Sequence, residues 1–402
     1  MAGRKNERVG AELDRRTFLG AAGALPLVSS VWSDEPSGQS RSEKAGGIPG
    51  VIARRKNPDN LEFPFAALDG FLTPTPQFFV RTHFYVPKLD PKSWRLKIEG
   101  AVRKPLEIDY DELRKMPSHT LTAVLECSGN SRIFLKPPQN GLRWELGGVG
   151  NAEWTGVRLA DVLERAGVEQ DAVEVIAEGA DKGEFKPPSS PSPGVIPFAR
   201  SLTLAKARQP EVLLAYKMNG KELTASHGAP VRLLVAGWYG MASVKWLQRL
   251  IVTKQPYHGF FQTFEYSMWD RSSGVPTLVP VRDMQVKSEI ARPMLGEVVP
   301  AKSTYRIFGA AWAGGPKIAK VEVSADGGKS WHEAKLLDEA TPFTWRRWEY
   351  PWQTPEENGP CILMARATDT QGRVQPMQRD EDRRDAVISH VLPIEVEVGE
   401  PR

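Results

Sequence analysis

The residues best suited to chemistry lie in Leu125-Glu126-Cys127-Ser128-Gly129-Asn130-Ser131-Arg132. Cys127 stands between an apolar run (121–125) and a Ser-Gly-Asn loop signal, which reads as a strand end opening into a turn. A thiol placed there can reach into a cleft. It could serve as a soft-metal ligand, as a nucleophile, or simply as a small buried hydrophobe. Residues 77–87 read as an aromatic strand carrying Arg81 and His83. Period-two alternation puts those two side chains on one face, where they either find a partner or face water. His227 and Arg232 border the apolar run 231–235, and Gly237 and Gly240 follow. Those glycines let backbone approach a ligand closely. His227 by itself also fits a loop histidine satisfied by backbone.

The elements that must position these residues are short. The 33 prolines and 35 glycines favour many brief elements over long helices. Residues 94–100 read as a strand. Asp109 can start a helix over 110–116. Residues 153–163 turn into an amphipathic helix ending at Gly167. Residues 173–178 read as a strand, and 179–194 as a Pro- and Ser-rich loop containing Asp181. A strand over 211–216 leads into a hairpin turn at Asn219-Gly220. From about Val286 the texture becomes regular short strands at 304–310, 317–325, 330–337, 345–352, 362–369 and 388–398. That spacing resembles an immunoglobulin-like sandwich.

The chain has 402 residues, 41% hydrophobic and 25% charged, enough for two domains with sizeable cores. Its formal charge is +4, and five basic residues (Arg4, Lys5, Arg8, Arg15, Arg16) crowd the first 33 positions. The charge therefore argues little for a nucleic-acid partner. No apolar run is long enough to span a bilayer. Two cysteines, Cys127 and Cys361, do not make a disulfide framework. Cys361 reads as a buried strand residue. No Walker pattern, strand-bound Gly-x-Gly-x-x-Gly or Cys-x-x-Cys-His occurs, so neither a phosphate loop nor an attached haem is indicated. Asp14-Arg15-Arg16-Thr17-Phe18-Leu19-Gly20, followed by the apolar run 21–28, resembles a twin-arginine export signal over residues 1–33. Residues 34–58 are expected to be a flexible N-terminus before a first domain at 59–285 and a second domain at 286–402.

Five motifs in order resemble the sulfite oxidase family of molybdenum enzymes. They are Phe79-Val80-Arg81-Thr82-His83; Cys127 to Arg132; Gly141-Leu142-Arg143-Trp144; Tyr216 to Gly220 with His227 to Arg232; and Ser243-Val244-Lys245-Trp246-Leu247. The resemblance implies an α+β molybdopterin-binding domain followed by an all-β immunoglobulin-like dimerisation domain. It implies that Cys127 is the protein ligand of molybdenum. Arg81, Arg132 and Trp144, with Tyr266, would form the anion pocket. Phe79, Val80, Arg81, Thr82, His83, Asp181, His227, Arg232, Ser243, Val244 and Lys245 would cradle the pterin and its phosphate. A further pocket arginine is expected near the C-terminus, where the 379–385 stretch departs from the family pattern and offers Arg383 and Arg384. The implied reaction is oxygen-atom transfer from water to sulfite, in an exported, periplasmic homodimer. Electrons would pass to a separate acceptor such as a c-type cytochrome, and no haem is expected within the chain. The alternatives within the family are a sulfane dehydrogenase subunit, a sulfoxide reductase and a nitrate reductase. The alternative of another class is a non-catalytic secreted binding protein.

Overall fold

The computed structural model describes residues 50–186 and 190–400. The export-signal segment 1–33 lies outside the described residues. The expectation of flexibility over 34–58 is corrected from residue 50 onward. Strands β1 (Ile52–Lys56) and β2 (Asp59–Glu62) form an antiparallel hairpin. Val51, Leu61 and Val80 bury a small apolar cluster against it. The Glu62 carboxylate ties it to the rest of the molecule by accepting from Arg54 and from Gly147 N.

The first lobe is built from two sheets. Strands β3 (Arg95–Gly100) and β4 (Leu106–Asp109) lead to helix α1 (Tyr110–Lys115). Asp109 caps that helix by accepting from Glu112 N, as its sequence position predicts. Next come β5 (Ser118–Glu126), β6 (Val149–Arg158) and helix α2 (Leu159–Ala166), which Gly167 closes in the left-handed conformation. Then follow β7 (Glu174–Gly183), β8 (Ile196–Thr203), the short α3 (Leu204–Ala207) and β9 (Val212–Met218). Strands β10 (Lys221–Glu222), β11 (Arg232–Val235) and β12 (Leu247–Thr253) complete the lobe. One sheet runs β10-β9-β6-β5 with β11 paired to β9; the other runs β4-β3-β12-β7-β8. Hairpin β13 (Ser267–Asp270) and β14 (Thr277–Pro280) links to the second lobe.

The second lobe packs two sheets over one apolar core. Its strands are β15 (Lys287–Arg292), β16 (Val298–Pro300), β17 (Thr304–Trp312), β18 (Ile318–Ser324), β19 (His332–Glu333), β20 (Lys335–Leu336), β21 (Arg346–Gln353), β22 (Gly359–Asp369) and β23 (Ile394–Gly399). The sheets run β15-β17-β21-β20 and β16-β23-β22-β18-β19. Ile307, Val321, Trp348, Leu363 and Val396 interdigitate between them.

Several expectations change. The first lobe, expected to be α+β, is mostly β with three short α-helices among the described residues, and the second lobe is all β apart from a single 3₁₀ turn. Residues 77–87 are not a strand: only Val80 bridges, to Leu61, because Asn60 Oδ1 takes the Thr82 N–H at 2.9 Å. Asp181 lies in strand β7, beside a register shift, rather than in a loop. Residues 388–393 precede β23 instead of belonging to it. Cys361 is only partly buried on β22, and both cysteines are free. No helix of the described residues is long and apolar enough to cross a membrane.

The lobes share their interior. Trp312 and Trp345 of the second lobe belong to the same buried cluster as Phe65, Val124 and Tyr239 of the first. Val124 N donates to Phe343 O at 2.8 Å, and Trp345 Nε1 donates to Phe71 O at 2.8 Å.

Candidate active site

Strand β5 delivers Cys127. The strand ends at Glu126, and Cys127 N donates to Gly148 O at 2.8 Å. The chain then turns, with Asn130 N donating to Cys127 O at 2.8 Å and Ser131 held at φ 71°. A left-handed serine is unusual and needs local support. A buried network supplies it. Lys287 Nζ donates to Glu126 Oε1 (2.9 Å), Glu289 Oε1 (2.8 Å) and Ser131 Oγ (2.9 Å). Asn130 Nδ2 donates to Glu126 and Glu289, and Trp312 Nε1 donates to Glu126 Oε2 at 2.9 Å. Burial opposes the Lys287 charge, but the two carboxylates hold its pKa above the usual lysine value. Burial raises Glu289 to about 7. The Cys127 loop is thus pinned from below by the first strand of the second lobe.

A cleft opens over Cys127. Its wall includes Phe79, Arg81, His83, Asp181, His227, Arg232, Ser243, Lys245 and Tyr266. These nine come from five separate segments, and the sequence singled out every one. Arg81 Nη1 donates to Thr82 O (2.6 Å) and Asn60 Oδ1 (3.2 Å). Arg232, fully desolvated, donates to His227 O (3.1 Å) and Ser243 O (3.0 Å) and lies 5.0 Å from the Trp154 ring. Lys245 Nζ donates to Ser226 O at 2.8 Å. Gly228, at φ +103°, lets Lys245 and Arg232 close in: a Cβ there would meet theirs at 3.0 and 3.1 Å.

The electrostatics are one-sided. Burial lowers Arg232 to about 9 and His227 to about 4. Burial, helped by Arg81 and Lys245, holds His83 well below the usual histidine value. Burial and then Arg232 push Lys245 well down, while Asp181 opposes. Burial raises Asp181 to about 6 against the pull of Lys245. A cluster of cations with depressed pKa values and one strained carboxylate lacks negative charge, and an anionic group would restore the balance. Two buried donors at the cleft, Arg232 Nε and Ser128 Oγ, have no partner and point the same way, while Asp181 Oδ1 is an acceptor without a donor. Neutral histidines, a free buried thiol and these donors suit a phosphate-bearing ligand that carries a soft metal.

His83 and Tyr266 form a pair, Nε2 to hydroxyl at 2.5 Å. Burial raises the Tyr266 hydroxyl above the usual tyrosine range. A π-helical turn, Phe260–Glu265, presents Tyr266. Such turns are common at functional sites.

The remaining expected residues stand one layer back. Val80 packs under the β1–β2 hairpin, and Val244 is core. Thr82 is buried, with Oγ1 3.4 Å from Lys245 Nζ. Trp144 is fully buried and meets the edge of Phe79 at 6.3 Å rather than the cleft. Arg132 donates to Leu142 O (2.9 Å) and Asp385 O (3.0 Å), folded under Gly129 rather than facing the cleft wall. Arg384 donates to Ser267 Oγ at 2.7 Å, beside Tyr266. Arg383 pairs instead with Asp380 at 3.0 Å. Sequence reasoning missed Phe78, Phe198, Ser226, Met241 and Trp246 in the wall, and Asn60 behind it. Ser226 and Trp246 could have been found as neighbours of His227 and Lys245; Asn60 and Phe198 carry no local signal.

Residues 83–261 match the model of the oxidoreductase molybdopterin binding domain, and residues 279–384 match that of the Mo-co oxidoreductase dimerisation domain. The chain is 36% identical over 346 residues to mitochondrial sulfite oxidase of Mus musculus, covering 82% of this chain and 62% of that protein. It is 35% identical over 347 residues to sulfite oxidase of Gallus gallus, covering 82% and 73%. The chain therefore spans less than two thirds of the mouse relative's length. The crystal structure of sulfane dehydrogenase SoxCD from Paracoccus pantotrophus superposes with TM-score 0.74 at 28% identity, covering 92% of this chain and 96% of that one.

Proposed function

The chain belongs to the sulfite oxidase family of molybdopterin-dependent oxidoreductases, and from that premise we propose that it oxidises sulfite to sulfate. The observation that carries the reading is the free, buried Cys127 thiol opening into a cleft lined by Arg81, Arg232 and Lys245. A bound molybdenum cofactor supplies the two-electron redox centre. Cys127 Sγ would hold its metal. His227, Arg232, Ser243, Lys245 and Asp181 would hold the pterin and phosphate, with Phe79 to His83 alongside. Arg81 offers guanidinium donors to the small oxyanion and orients it. His83 and Tyr266 hold a proton between them at the cleft wall. The balanced change is sulfite plus water giving sulfate, two protons and two electrons. Behind this wall Trp144 braces Phe79, Arg132 ties Leu142 to Asp385, and Arg384 holds Ser267 beside Tyr266.

The electrons go to a separate acceptor, in this reading a c-type cytochrome; the sequence carries no Cys-x-x-Cys-His for a covalently attached haem. Residues 59–285, preceded by the β1–β2 hairpin, form the catalytic domain. Residues 286–402 form an immunoglobulin-like domain that makes a homodimer, a reading supported by the two-sheet sandwich and the matched dimerisation domain. Arg15-Arg16 and the following apolar run support export to the periplasm by the twin-arginine route.

Steady-state assay of the molybdenum-loaded protein with sulfite and ferricyanide or cytochrome c tests the function. Turnover supports it; none rejects it. A second reading, oxidation of sulfane sulfur, is favoured by the near-complete coverage of the SoxCD chain. Turnover with a protein persulfide but not with sulfite selects it.

A further inference from the structure

Arg200 is fully buried on β8, yet no carboxylate among the described residues accepts from it. Its donors go to main-chain carbonyls. Nη1 donates to Phe261 O, with longer contacts of 3.5 Å to Gln262 O and Tyr266 O. Nη2 donates to Val281 O at 2.7 Å, and Nε has no partner. Burial lowers its pKa to about 10. An apolar side chain would fill this space without the cost of burying a charge. The guanidinium does what an apolar group could not: it ties carbonyls on both sides of Tyr266 to one rigid strand. Phe261 precedes Tyr266 in the π-helical turn, and Val281 follows it, donating its own N–H to Tyr266 O at 2.9 Å. The guanidinium carbon also lies 6.0 Å from the Tyr266 ring.

Strand β8 braces the other partner too. Phe198, two residues before Arg200 and so on the same face, stacks on the His83 ring at 4.6 Å and 26°. One strand face thus supports both members of the His83–Tyr266 pair.

We propose that Arg200 is a positioning residue, fixing Tyr266 so that its hydroxyl meets His83 in the cleft beside Cys127. Its importance for turnover rests on the sulfite reading above; its effect on Tyr266 does not.

The test compares full-length, cofactor-loaded wild type with Arg200→Lys, Tyr266→Phe and the double variant. Each protein is also prepared with 3-fluorotyrosine for fluorine NMR, where loss of a line in Tyr266→Phe assigns Tyr266. In Arg200→Lys the Tyr266 line should shift or broaden, while the tyrosines of the second lobe, Tyr305 and Tyr350, keep their lines. Sulfite kcat should fall about tenfold or more, as for a displaced catalytic contact. The double variant should be no worse than Tyr266→Phe alone, because the two changes act through one group. An unmoved Tyr266 line, losses that multiply in the double variant, or an Arg200→Lys chain that fails to fold each overturns the proposal. Absence of sulfite turnover by wild type rejects the sulfite reading instead, and the Tyr266 line then decides the positioning alone.

Discussion

Among the described residues Arg81 spends only Nη1 on the protein, on Thr82 O and Asn60 Oδ1. The rest of its guanidinium is available to a ligand, whereas Arg232 is committed to His227 O and Ser243 O. Arg81→Gln should therefore raise the KM for sulfite by roughly 10- to 100-fold, the worth of a charge-assisted hydrogen bond. Molybdenum content should change little. Paired steady-state kinetics and metal analysis check this, and an unchanged KM would remove Arg81 from substrate binding. Single residues of the cleft were legible because each sits in a short motif with its own local signature. Cys127, His227 and Lys245 each stand beside a glycine or a strand end that aims them. Asn60 and Phe198 were not legible, since they reach the site through space from distant strands. Arg132 and Trp144 were found by motif, but spacing cannot tell a cleft wall from the layer behind it.

At the scale of elements, β5 and β15 meet end to face under the Cys127 loop. Lys287 and Glu289 sit two residues apart and so share a face of β15, both fully buried among Glu126, Asn130 and Ser131. The folded state raises Glu289 from 4.5 to about 7. A carboxyl raised in this way contributes stability that is complete below pH 4.5 and lost as pH rises through 7. Glu289→Gln cannot titrate. The stability advantage of the variant over wild type should therefore grow between pH 5 and pH 8, as read by melting temperature across that range. Parallel pH profiles would show that the carboxyl does not titrate there. Strand existence was largely legible, as were the Asp109 cap and the Gly167 stop. The 77–87 segment misled because its aromatic composition suits a strand, whereas its hydrogen bonds go to the Asn60 side chain. The Lys-x-Glu pair at 287–289 was not singled out, because burial of like and unlike charges together leaves no periodic sign.

Across the whole molecule, the second lobe completes the interior of the first. Trp312 and Trp345 fill the first lobe's core, and Phe343 O takes the Val124 N–H. A chain ending after residue 285 would expose that surface and lose the Lys287 counter-charge beneath the cysteine loop. It should show no cooperative melting by circular dichroism and should bind a hydrophobic dye; a sharp transition would mean that the first lobe folds alone. Two domains were legible from the change in texture near Val286, but their shared core was not, since apolar residues do not announce which lobe they will join. In the proposed function Cys127 holds molybdenum in a cleft that oxidises sulfite. The most direct test is molybdenum per chain measured with sulfite turnover, in wild type and in Cys127→Ser, both expressed with cofactor supply. The expected result is about one molybdenum per wild-type chain with sulfite-dependent reduction of the acceptor, and a loss of turnover of about 100-fold or more in the variant. Equal turnover in the two proteins, or a molybdenum-loaded wild type inert toward sulfite, would contradict it.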